Sequence, residues 1–184
     1  MIVGGLSKQI VATRATGERG NGSRISQMTN ASNAWQREGW EVHTRLLLDS
    51  YRRWIGRELV ERHTPTEDAR TLFEAPFVVV SHGTQADPIL NYGNQSALTL
   101  WEMSLEALLQ TPSRLTAEPV HRDERARLLE RTTRDGYVDD YSGIRITATG
   151  RRFRINQAIV WNLIDPDGRF AGQAATFSEW DWLE

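Results

Sequence analysis

Cysteine is absent from the 184 residues. That removes disulfides, thiolate catalysis, Cys-ligated zinc and iron–sulfur clusters together, and it suits a cytoplasmic setting. Lysine is nearly absent: Lys8 stands alone and every other Lys/Arg position is arginine, which stacks and makes forked contacts to carboxylates and phosphates. A coding bias accounts for that ratio without invoking function. No apolar run approaches the roughly 18 residues of a membrane span. Residues 1–16 lack the basic start and long apolar stretch of a secretory signal. The net charge of −2 exerts no general pull toward nucleic acid. Neither membrane nor nucleic acid is therefore expected as a partner.

What is present reads as one small α+β domain with an extension. Residues 1–34 are rich in Gly, Ser, Thr and Asn and read as a mobile tail. Residues 35–63 form a second unit, with a helix expected over 35–62. There Trp40, Leu47, Tyr51, Trp54, Ile55 and Leu59 recur at helical spacing as one apolar stripe. Acid-first pairs such as Glu41–Arg45, Asp49–Arg53 and Glu58–Arg62 line its far side. Thr64-Pro65 ends it, because a residue before proline is pushed out of the helical region. The third unit, 64–184, opens with a short helix that Thr66 would cap.

The rest alternates turns and strands. The β-branched run 77–82 and residues 89–92 are two strands. Asn94 and Ser104 each cap a short helix, and Pro119 opens a longer one that ends at Gly136. Residues 137–147, 152–164 and 170–177 are three strands joined by turns at Thr149-Gly150 and Asp165–Gly168. Two strands cannot stand alone, so the first pair must join the last three in one five-stranded antiparallel sheet, with helices across one face and the N-terminal amphipathic helix beside it.

The turns imply a register: Trp161 opposite Gly172, Val160 opposite Gln173, Tyr141 opposite Ala158 and Ser142 opposite Gln157. Strict alternation then places Phe153, Ile155, Ile159, Trp161 and Leu163 on an outer face. That face is too apolar to stay bare, and the helix over 35–62 is its natural cover, in the same chain or in a second copy. The inner face receives Asn156, Ala158, Val160 and Asn162 with Tyr141 and Gln173. Small residues at 143, 158, 171 and 175 leave room there, and Asn156 and Gln173 supply donors and acceptors. Two readings stand: a small-molecule pocket, or a tight core in which the amides bond to backbone.

Three stretches carry a family resemblance: Ala75-Pro76-Phe77-Val78-Val79-Val80-Ser81-His82-Gly83, then Pro88-Ile89-Leu90-Asn91-Tyr92-Gly93-Asn94, then Arg114-Leu115-Thr116-Ala117-Glu118-Pro119. The end of the chain through Gln173-Ala174-Ala175-Thr176-Phe177 completes it. The order of elements is that of a PAS domain, and the residues resemble the PAS-related MEKHLA domain from about residue 40 onward. That family occurs alone in photosynthetic bacteria and at the C-terminus of plant homeodomain–leucine zipper regulators, where it is taken to modulate dimerisation. Neither a homeodomain nor a zipper is visible in this sequence, so the resemblance implies the regulatory module in its stand-alone bacterial form.

What the resemblance implies is a sensory or regulatory theme, a homodimer paired through the N-terminal helix or the outer sheet face, and a pocket over the inner face. Asn156, Gln173, Tyr141, Ala158 and Trp101 are the candidate ligand-binding residues, and the cofactor is left unassigned. A pure protein–protein interaction module with an empty core is the alternative. His121 lies on the helix where haem-binding PAS domains carry their axial ligand, but its place in the first turn beside Arg122 and Asp123 favours exposure or capping. Flavin chemistry through a cysteinyl adduct needs a cysteine, whereas non-covalent flavin binding stays open.

Enzyme templates fail in turn. Gly17-Glu18-Arg19-Gly20-Asn21-Gly22 lacks the strand–helix setting of a phosphate loop. There is no Gly-x-Ser-x-Gly elbow. Asp139 and Asp140 are adjacent on a strand and point to opposite faces. No two histidines have metal-ligand spacing. No catalytic residue and no metal ligand are assigned, and a small enzyme of unrecognised type is the remaining reading.

Overall fold

The computed structural model describes residues 33–184. The tail expected over 1–34 therefore lies, up to residue 32, outside the described residues. Ala34 is already buried in a 3-10 turn, Ala34–Gln36.

The first helix, α1 (Trp40–Ile55), is shorter than the expected 35–62. Gly56 ends it: at φ 79° it adopts the left-handed cap, and its N–H closes on Arg52 O at 2.9 Å. Of the expected acid-first pairs, Glu58–Arg62 forms at 3.7 Å beyond the helix end, whereas Glu41–Arg45 and Asp49–Arg53 are not among the described ion pairs, Arg45 lying 3.5 Å from Asp49. Arg62 also folds back, at 2.9 Å from Asp49 and 2.8 Å from Asp68. Helix α2 (Pro65–Glu74) is capped by Thr64 and not by Thr66. Pro65 fills the first helical position, where no N–H is needed, and Thr64 and Glu67 form a reciprocal capping box.

Strands β1 (Val78–His82) and β2 (Leu90–Gly93) follow, then α3 (Gln95–Trp101) and α4 (Leu105–Leu108). Asn94 and Ser104 cap the two helices through side-chain oxygens. Pro119 begins a 3-10 turn, Pro119–His121, and α5 (Arg122–Asp135) runs on from it. Strands β3 (Tyr137–Ile146), β4 (Arg152–Ile164) and β5 (Phe170–Phe177) come next, and β6 (Glu179–Leu183) ends the chain. The sheet order is β2-β1-β5-β4-β3, antiparallel throughout, with β6 paired to β4. The sheet thus has six strands, not five. β6 follows β5 after Ser178 and extends the same ladder along β4, from Asn156↔Glu179 to Arg152↔Leu183.

Helices close both faces. On one, Leu47, Leu48 and Tyr51 of α1 and Phe73 of α2 pack on Val79, Trp161 and Leu163. On the other, Ala97, Leu100 and Trp101 of α3 and Leu128 of α5 pack on Val138, Ala158, Val160 and Phe177. The cover expected for the outer face is therefore α1 of the same chain.

Two register expectations change. Across the β4–β5 turn the loop has three residues, closed by Asp165 N–H to Arg169 O at 2.9 Å, and an irregularity follows between Leu163 and Ile164. Trp161 therefore faces Ala174 and Leu163 faces Gly172, two residues from the expected pairing, which keeps each side chain on its expected face. Tyr141 does face Ala158, but Gly143 pairs with Ile155, so the ladder slips between Tyr141 and Gly143. The extra residue on β4 is Gln157, at φ 49°, and it turns the strand over. Phe153 and Ile155 consequently join Ala158 and Val160 in the inner core, while Ile159, Trp161 and Leu163 face α1. The expected grouping of Phe153 and Ile155 with the outer face is corrected accordingly.

Candidate functional site

A cavity of about 70 Å³ lies between the inner sheet face and helices α3 and α5. Four of the five expected residues line it: Trp101, Tyr141, Ala158 and Gln173. Asn156 does not. The extra residue at Gln157 puts it on the opposite side of β4, where its Nδ2 donates to Asp181 of β6 at 2.9 Å.

The four differ in what they offer. Ala158 is 1% exposed and forms a floor without polar atoms. Trp101 ends α3 with its ring edge-on to Phe153 at 5.5 Å and to Phe177 at 6.0 Å, and its Nε1–H is buried without a partner. The Gln173 amide is already engaged: Nε2 donates to Leu129 O, Thr133 Oγ1 and Asn162 Oδ1, each within 3.1 Å. It braces the end of α5 to the sheet, as the tight-core reading expects of an amide. Asn162 acts with it, donating from Nδ2 to Thr132 O at 2.9 Å and so satisfying a helix-end carbonyl.

Tyr141 introduces the charged part of the wall. Gly143, two residues along β3, has no Cβ, and one placed there would strike the Tyr141 hydroxyl. The ring therefore lies along the strand toward Arg145, whose Nη2 donates to the hydroxyl at 2.7 Å. The Arg145 guanidinium sits 5.2 Å from the Tyr141 ring centroid. Burial pushes the Tyr141 hydroxyl pKa up, against the opposing effect of Arg145. From α5, Arg125 reaches into the same cavity and donates from Nη2 to Ser113 Oγ at 2.7 Å. Burial, and then the nearby positive charge of Arg145, push its pKa down to about 10. His82, at the end of β1, completes this side. Its Nδ1 lies 2.9 Å from Gly83 O, and its Nε2 is buried with no partner. Burial is the main cause of its lowered pKa.

Arg125, Arg145 and His82 are the site residues that sequence reasoning missed. Arg145 was recoverable, since alternation from Tyr141 and Gly143 points the next odd residue inward. Arg125 lies one helical turn before the buried Leu128, on the same face of α5. Among the described residues no group of three His, Cys, Asp or Glu is arranged to hold a metal.

The sheet order, the helices between β2 and β3, and a cavity over the inner face define a PAS-like domain. Solved structures agree on the fold. The PAS domain of a protein from Colwellia psychrerythraea superposes with a TM-score of 0.51 at 14% identity, covering 60% of this chain and 91% of that one. The photo-excited blue-light photoreceptor Vivid gives a TM-score of 0.51 at 12% identity, covering 72% and 94%. The MEKHLA domain family model matches residues 41–182, and the chain belongs to that family. It is 26% identical over 132 residues to the homeobox-leucine zipper protein HOX29 of Oryza sativa subsp. indica, and equally to that of subsp. japonica. The match takes in 67% of this chain and 15% of each rice protein. Among the described residues no helix is long and apolar enough to cross a membrane.

Proposed function

We propose that this chain is a sensory or regulatory module that binds a small molecule between its inner sheet face and α3 and α5, and that it is not an enzyme. The observation that carries this reading is the cavity, which brings Trp101, Tyr141 and Ala158 together around about 70 Å³ of unfilled space in a fold whose interiors are normally close-packed. A physical connection leads out of it. Gln173 Nε2 donates to Asn162 Oδ1 at 3.0 Å, and the Asn162 carbonyl accepts from Trp54 Nε1 of α1 at 2.9 Å. A change at the cavity wall therefore has a route to the helix on the far face. The homeobox-leucine zipper relatives lend the theme of a regulatory attachment; this chain spans too little of them for more to be carried over.

Native mass spectrometry and an absorbance scan of the protein as isolated test the reading. A bound small molecule is expected, and Ala158→Leu, which fills the floor, is expected to remove it while the fold persists. If nothing is ever found bound, or occupancy survives Ala158→Leu, the module is an interaction domain with an empty core. A homodimer through α1 or the outer face is a separate proposal, checked by light scattering. It has little apolar surface left to use, because α1 and that face bury each other within one chain.

A further inference from the structure

The charge inside the cavity is all of one sign. Arg145 is 6% exposed, Arg125 reaches in from α5, and no carboxylate lines the space. The nearby acids offset the pair only in part, Asp87 acting on Arg125 through space and Glu124 lying beside Tyr141. Asp87 accepts two bonds from Arg114, both at 3.0 Å. Glu124 is half exposed, with His121 at 3.9 Å. Among the described residues neither Arg125 nor Arg145 has an ion pair. Their hydrogen bonds engage Nη2 of Arg125 and both Nη atoms of Arg145, with Ser113, Ile144 and Tyr141 as the acceptors. Each guanidinium carries five N–H donors in a fixed fork. Arg145 is buried and Arg125 partly so; two such neighbouring cations without an ion-pair partner are costly, and the pair suits an anion that accepts from both forks.

The rest of the wall limits the anion. Ile155, Ala158, Val160 and Phe177 are apolar, which suits a ligand with a hydrocarbon body more than a phosphate that needs donors on every side. A volume of about 70 Å³ is the share of about two liquid waters, so only a ligand of a few heavy atoms fits. We propose that the cavity binds a small organic monocarboxylate of about propionate size, its carboxylate between Arg125 and Arg145 and its alkyl end against Ala158 and Phe177. This rests on the reading of the cavity as a ligand site and adds the class of ligand.

The test is thermal unfolding of the full chain, refolded from urea to strip any carried-over molecule. It is followed in about 20 mM sodium propionate, propionamide or sodium phosphate at matched ionic strength. Ligand that binds only the folded state raises Tm. Propionate is expected to raise it by about 3 °C or more, with propionamide and phosphate having little effect. Arg125→Met and Ala158→Leu should each abolish the shift. Arg125→Lys, which keeps the charge and loses the fork, should weaken propionate at least about tenfold and carries the test if Arg125→Met fails to fold. An equal shift with propionamide overturns the anion assignment while leaving a cavity ligand in place. A response to phosphate alone overturns the carboxylate. No shift with any of the three overturns this proposal, while the ligand reading beneath it stands or falls on the native mass spectrum. A propionate shift that survives both Arg125→Lys and Ala158→Leu puts the binding elsewhere and overturns the site.

Discussion

Where α1 crosses the sheet, Tyr51 meets Trp161 edge-on at 5.1 Å, and Leu47, Leu48 and Leu163 have no exposed surface. Packing there is tight enough to strand polar atoms: Trp161 Nε1 and Tyr92 Oη are buried without partners, each at a cost of about 1–3 kcal/mol. Where α3 and α5 cross the other face, the small Ala158 and the long arginines leave a cavity and put charge beside it. Both faces belong to the same strands. Orphaned polar atoms occur on both, since Trp101 Nε1 and His82 Nε2 beside the cavity are also buried without partners; what separates the faces is continuous contact on the first and a cavity with two arginines in its wall on the second. Stability should therefore concentrate on the first face and response to ligand on the second.

The largest effect is expected from removing the first cover altogether. A chain lacking residues 1–62 loses α1 and exposes Val79, Trp161 and Leu163, and is expected to aggregate or to show native-like far-UV circular dichroism without near-UV signal. A soluble, monomeric, cooperatively unfolding product would erase the distinction between the faces. A single substitution sharpens it. Leu47→Ala should cost about 2–5 kcal/mol in urea unfolding, whereas Ala158→Leu, growing into empty space, should cost under about 1 kcal/mol, below the usual range for overpacking. Equal costs would mean that the cavity collapses in solution. Trp54 is only half-buried, so it is a weaker probe than its place in the stripe of α1 implies.

The smallest effect is titrational. His43 of α1 packs on Ser81 Oγ at 2.9 Å, and burial pushes its pKa down from 6.5 to about 4. The unfolded chain therefore binds the proton first. Stability is intact above about pH 6.5 and declines as pH falls toward 4. Between pH 7 and pH 5 the loss from this one group is about 2 kcal/mol. His43→Gln should flatten that part of the urea-midpoint profile; an unchanged slope would assign the acid sensitivity elsewhere, with buried His82 the next candidate.

Much of this was legible in the sequence because local chemistry decided it. The Asn94 and Ser104 caps, the Gly136 stop and the limits of β4 and β5 all depend on neighbours within a few residues. The end of α1 was legible too, in Gly56, but the apolar stripe running on to Leu59 outweighed it. β6 was missed although Glu179-Trp180-Asp181-Trp182 alternates, because an acidic stretch at a chain end reads as solvent-facing. Asn156 was misplaced for a different reason. Period-two alternation carries no mark of the residue at which a strand turns over, and Gln157 has none of the usual signs. The arginines of the cavity were obscured by composition, since in a chain where nearly every cation is arginine two more draw no notice.

That turn-over at Gln157 also constrains how the sequence can change in length. Opposite it, Phe177 and Trp180 both pack toward the inner core, so the β5–β6 ladder reverses its facing at Ser178 in step with β4. Across the sheet, β3 carries its own irregularity between Val138 and Tyr141. Loss of one codon at any of these three places would turn a half-strand inside out, sending Phe153 and Ile155 to solvent or Trp180 away from its core. Restoring the facing would require compensating losses in the neighbouring strands as well. Descendants of this chain should therefore vary in residue type along these strands while keeping their spacing fixed.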